Sequence, residues 1–196
     1  MSSLSARAPQ GGPLKIEHRI GVAAPAEVIW NSLAEPETWP DWNPLYTQAE
    51  GKLGYGARLR LTVHLEGQPD RVIEPVVTDW IPGDRLHWDV SMMGGLVKST
   101  RYIEIDRVSE TGCIVSNGEL FKGLLGPTAA HRIGHAIWKG FEAMGEALKA
   151  RAEAEWNAWP EEERAKLIAG AAPVEMPAPL PKASTVPRLK AGILRR

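Results

Sequence analysis

The sequence predicts an α+β fold in which a curved antiparallel sheet is covered by one long helix towards the C-terminal end. Three observations predict it. First, between about residues 57 and 121, apolar and polar residues alternate in five short runs divided by turn signals, the pattern of successive antiparallel strands. Second, the period then changes: Ala130, Ile133, Ile137, Phe141, Met144 and Leu148 recur three or four residues apart, a continuous apolar stripe along a helix. Third, 196 residues with 43% hydrophobic and 24% charged content are ordinary for one globular domain with tails.

In chain order, residues 1–13 (MSSLSARAPQGGP) read as a flexible leader, without the apolar run of a secretory signal. From Lys15 the chain alternates, with Ile16, His18, Ile20 and Val22 on one face and Glu17 and Arg19 on the other: a strand. "AAPAEVIWNSLAEP" reads as a short helix, with Pro25 near its first turn and Val28, Ile29 and Leu33 as its apolar side. Pro36, Pro40 and Pro44 forbid a long continuation, so the segment around Trp39 and Trp42 is a compact turn or a broken second helix. Five strand segments follow: "ARLRLTVHL", "RVIEPVVTDW", "RLHWDVSMM", "LVKSTRYIEIDRV" and "CIVSNGELF", joined by "EGQPD", "IPGD", the Gly94-Gly95 hairpin signal and "SETG". The long helix spans about Thr128 to Glu153, and its stripe has the sheet to bury against. Residues 14–153 thus form the domain. Residues 154–196 hold one more short helix, in "EWNAWPEEERAKLIAG", and a Pro-rich basic tail with no acid after Glu175.

Three stretches together resemble the START-like superfamily, also called the SRPBCC or polyketide cyclase/dehydrase and lipid-transport group: "AAPAEVIWNSLAEPETWPDWNPLY", "VVTDWIPGDRLHWDV" and "RYIEIDRVSETGCIVSNGELFKGLL". The resemblance covers about residues 14 to 153. It implies a helix-grip fold, in which the curved sheet wraps around the C-terminal helix, two small helices follow the first strand, and a deep cavity lies between sheet and helix. It also places "ETWPDWNP" at the cavity mouth. There a stiff aromatic segment either walls the cavity or plugs the open end of the sheet as core. This superfold hosts carriers, enzymes and co-chaperone domains, so it does not fix a function.

The expected cavity lining is Trp39, Trp42, Asn43, Trp88, Val90, Met92, Arg101, Ile103, Glu119, Phe121, Ile133 and Ile137. Among these, strand parity turns Arg101 and Glu119 inward, and the hairpin between their strands sets them roughly opposite each other. Such a pair inside an apolar cavity would need mutual satisfaction, and could orient a ligand carboxylate, carbonyl or hydroxyl. Arg101, Glu119 and His18, which falls on the apolar parity of the first strand, are the catalytic candidates.

Other chemistries find no support in the residues. His131 and His135 have metal-binding i, i+4 spacing, but project away from the apolar stripe and lack a third ligand, so no metal is expected. The single cysteine, Cys113, excludes an internal disulfide and lacks an activating neighbour. No phosphate loop, dinucleotide fingerprint or GxSxG elbow occurs, and no cofactor is expected. A formal net charge of -1 gives no electrostatic case for nucleic acid. No run approaches the roughly 18 apolar residues that span a bilayer, so stable membrane insertion is not expected and a cytoplasmic location is. Nothing sets an oligomeric state. The expected partner is a small hydrophobic molecule (a lipid, isoprenoid, quinone or polyketide-like compound) bound without catalysis. The alternatives are a cyclase or dehydratase using the polar cavity residues, and a regulatory module using the basic tail.

Overall fold

Residues 14–170 are described by the structure, a computed structural model. The leader 1–13 and the tail from 171 lie outside the described residues. The alternation after Leu14 produces β1 (Leu14–Val22), followed by α1 (Ala26–Ala34) and a 3-10 helix, Pro36–Asp41. The prolines of that segment thus give a short, tight helix, which closes when the Asn43 amide donates to the Trp39 carbonyl at 2.8 Å.

The strands that follow form two sheets. A small one has the order β2-β3-β4, from Tyr46–Glu50, Arg60–Val63 and Arg71–Ile73. A larger one contains β5 (Val76–Ile81), β6 (Arg85–Met92), β7 (Val97–Ser109) and β8 (Gly112–Lys122) as a meander. β1 completes it by pairing antiparallel with β8, from Leu14 opposite Phe121 to Val22 opposite Cys113. A bridge between Arg58 and Val76 joins the two sheets. Two details depart from the sequence reading. "RVIEPVVTDW" is two strands, because Pro75 has no amide to donate and the chain changes sheet there. The strand β2 carries too little alternation to be recognised, since a bulge between Tyr46 and Gln48 puts its buried residues, Tyr46 and Ala49, three positions apart.

Helix α2 runs from Gly126 to Ala158, longer than the apolar stripe suggested, and Pro160 separates it from α3 (Glu161–Gly170). "EWNA" therefore closes α2 and does not open the last helix. The apolar stripe buries Ala130, Ile137, Phe141, Met144 and Leu148 against the sheets. Two glycines let the helix sit close: a Cβ at Gly140 would meet the Leu45 and Leu65 side chains at 2.9 and 3.0 Å, and one at Gly145 would meet His18 at 3.1 Å. The helix is thereby held by β1 on one side and by the β2–β3 region on the other, a helix-grip arrangement.

Candidate functional site

Inward parity on β6, β7 and β8, together with the stripe of α2, encloses a cavity. Its walls are Val63, Leu65, Ile73, Val90, Met92, Phe121, Ile133, Ile137 and Phe141, with Leu45, Tyr46 and Trp88 beside them and Arg71, Arg101 and Glu119 as the charged groups. The cavity measures about 80 Å³. That is room for several waters, well below a drug-sized pocket.

Aromatic side chains account for the narrowness. Trp39, Tyr46 and Trp88 stack on one another, their ring centroids 5.4 to 6.2 Å apart. Trp39 is fully buried and donates its indole N–H to the Leu33 carbonyl at 3.2 Å. Of the expected lining, Trp88, Val90, Met92, Arg101, Glu119, Phe121, Ile133 and Ile137 come together at the cavity. Trp39, Trp42, Asn43 and Ile103 do not: Trp39 and Ile103 are core, Trp42 packs against that core, and Asn43 caps its own turn by accepting the Leu45 amide at 3.0 Å. The proline-bounded segment thus fills the end of the sheet, because its 3-10 turn points Trp39 into the space between the sheets.

Arg101 is held more rigidly than sequence reasoning allows. Its side chain is 3% exposed. One terminal nitrogen donates to the Tyr102 and Gly118 carbonyls at 2.5 and 2.9 Å. The other donates to the Asn117 amide oxygen and lies 3.6 Å from the Met144 sulfur. Asn117 in turn donates to the Phe141 carbonyl of α2 at 2.9 Å. The Phe141 ring covers the guanidinium, its centroid 4.0 Å from Cζ, with Trp88 at 5.6 Å. None of these partners is a carboxylate.

Glu119 does stand directly across from Arg101 in the β7–β8 register, yet the two make no ion pair. Burial pushes its carboxyl above the ordinary carboxylate value, against the lowering influence of Ser99 and of the Arg101 charge. Burial likewise raises the Tyr46 phenol above its ordinary value.

His18 lies elsewhere. It is opposite Asn117 in the β1–β8 register, packs edge-on to Trp138 at 5.8 Å and contacts the helix at Gly145, outside the cavity. His131 and His135 are exposed. Cys113 is buried, and burial lifts its thiol to about 11, away from reactivity. Among the described residues, no cluster of three or more potential metal ligands occurs, and no helix is long and apolar enough to cross a membrane. Sequence reasoning missed Asn117, Tyr46 and Arg71. Asn117 shares the inward parity of Glu119, and Tyr46 belongs to the aromatic segment, but nothing local marked Arg71.

A family model described as "Polyketide cyclase / dehydrase and lipid transport" matches residues 13–153. Among solved structures, the Zhui aromatase/cyclase from Streptomyces sp. R1128 superposes with a TM-score of 0.62 at 18% identity, over 74% of this chain and 97% of its own. A START superfamily protein from Mycobacterium smegmatis gives 0.56 at 22% identity, over 74% and 99%. Norcoclaurine synthase from Thalictrum flavum gives 0.57 at 19% identity, also over 74% and 99%. At these identities the likeness shows the fold. No curated protein sequence matches significantly.

Proposed function

The chain belongs to the polyketide cyclase/dehydrase and lipid transport family, and from that premise we propose that its cavity binds a small hydrophobic molecule, lipid, isoprenoid, quinone or polyketide-like, without transforming it. The observation that carries this reading is an apolar chamber between sheet and α2 with a guanidinium fixed in its wall. Apolar walls supply affinity, and a few immobilised polar groups set orientation. The hydrogen bonds of Arg101 serve the scaffold, and His18 is remote from the chamber, which favours holding over chemistry. With so little free space, a ligand must displace side chains, and Met92, unbranched and rotatable, is suited to yield.

Native against denaturing mass spectrometry, with organic extraction of the released material, tests the reading. A defined apolar mass lost on denaturation is the expected result.

A second reading has one specific observation behind it. Glu119 lines the chamber with Tyr46, and burial raises its carboxyl above the ordinary carboxylate value, the direction a general acid requires. Two of the similar folds are an aromatase/cyclase and norcoclaurine synthase, and orientation in a closed site accelerates such reactions. If the extracted molecule is converted by the protein, Glu119→Gln should slow turnover at least about hundredfold if Glu119 is the acid, and unchanged turnover dismisses that role.

A further inference from the structure

The donors of the chamber wall outnumber its acceptors, and that imbalance specifies the ligand's polar end. Arg101 Nε is buried without a hydrogen-bond partner. So is the indole nitrogen of Trp88, the residue directly opposite Arg101 in the β6–β7 register. Both side chains line the chamber. Buried donors left unpaired are costly and rare, and two of them on cross-strand neighbours mark a place that an acceptor completes.

Charge points the same way. The guanidinium of Arg101 is surrounded by main-chain oxygens, an amide oxygen, a thioether and two aromatic faces, all neutral. A buried cation served by neutral acceptors alone remains electrostatically incomplete. Its cross-strand neighbour Glu119 makes no ion pair with it, and burial biases that carboxyl towards neutrality. The other charged group at the chamber, Arg71 on β4, is an exposed second cation. Two arginines therefore face one carboxyl, and the field inside favours an anion. The remaining wall, with Val90, Phe121, Ile133 and Ile137, accepts a hydrocarbon body and nothing charged.

We infer that the molecule held in the chamber is an apolar acid whose anionic oxygen, carboxylate or phenolate, seats against Arg101 and Trp88. This rests on the binding reading given above and narrows it: neutral sterols, alcohols and hydrocarbons are disfavoured. The anion displaces no existing ion pair, because Arg101 has none to lose.

Calorimetric titration of the full chain at pH 7 with octanoate and with 1-octanol, equal in chain length and different in charge, tests it. Octanoate should bind at least about tenfold more tightly, the margin of a charge-assisted over a neutral hydrogen bond. Arg101→Met should erase that margin, so that octanoate binds no more tightly than 1-octanol. Arg71→Ala, on an exposed side chain where folding is not at risk, should narrow the margin about two- to threefold, as loss of one surface charge does. Equal binding of the two probes by the unaltered protein overturns the inference and leaves the binding reading standing. Binding of neither overturns the binding reading, and the inference falls with it. The comparison of probes on the parent chain decides the matter even if Arg101→Met does not fold.

Discussion

Arg101 and Glu119 show how far a single residue's role depends on its neighbours. Strand parity and the turn at 109–112 set the two opposite each other, and the register agrees. Parity could not show that Asn117 and the Gly118 carbonyl occupy the guanidinium, since this depends on rotamer and on the depth of α2. Glu119 is therefore left half-buried without a full counter-charge, and the sign of its effect on stability follows. Its folded carboxyl sits above the ordinary 4.5 because burial disfavours the charge. Between that value and its raised one, the unfolded chain releases the proton first, so stability falls as pH rises through the window. Glu119→Gln removes this loss. The variant should melt above the parent at pH 7 and together with it at pH 4, measured by circular dichroism. Tyr46, Arg71 and Arg101 also line the chamber, and of these only the phenol can lose a proton, far above this range.

At the level of elements, three neighbouring strands, β7, β8 and the edge strand β1, are tied by a device on the opposite face of the sheet. Tyr102 on β7 lies across Gly118 on β8, and its hydroxyl reaches β1 to donate to Glu17 at 2.6 Å. A Cβ at position 118 would collide with that ring. Gly118→Ala should displace Tyr102, break the bond to Glu17 and cost about 1–3 kcal/mol, read as a lower denaturation midpoint with unchanged slope. The glycine's role was hidden in the sequence, where Gly118 inside "SNGEL" reads only as a weak spot in a strand. The helix α2 was more legible. Its stripe identifies Ile133, Ile137 and Phe141 from sequence alone, because a 3.6-residue period needs only local spacing. What the stripe could not reveal is that Gly140 and Gly145 draw the helix to within side-chain contact of Leu45 and His18.

For the molecule as a whole, the balance between core and chamber is decided by a few indoles. Trp39 binds the 3-10 segment to Tyr46 on the small sheet and to Trp88 on the large one. Trp39→Ala should destabilise the fold by about 3–5 kcal/mol, checked by chemical denaturation, because it empties a fully buried site between the sheets. The sequence by itself determined the local elements: the meander β5 to β8 apart from the sheet change at Pro75, the short helix before the proline segment, and the long amphipathic helix. Alternation, turn chemistry and helical period act between neighbours, so they can be read without a fold. Only the tertiary structure decided that β1 closes on β8, that β2, β3 and β4 form a second sheet, that Trp39 plugs while Trp88 lines, and that Arg101 meets neutral acceptors in place of Glu119. Each of these joins residues whose meeting is set by packing between elements, and packing resolves volumes and donors that no local pattern records.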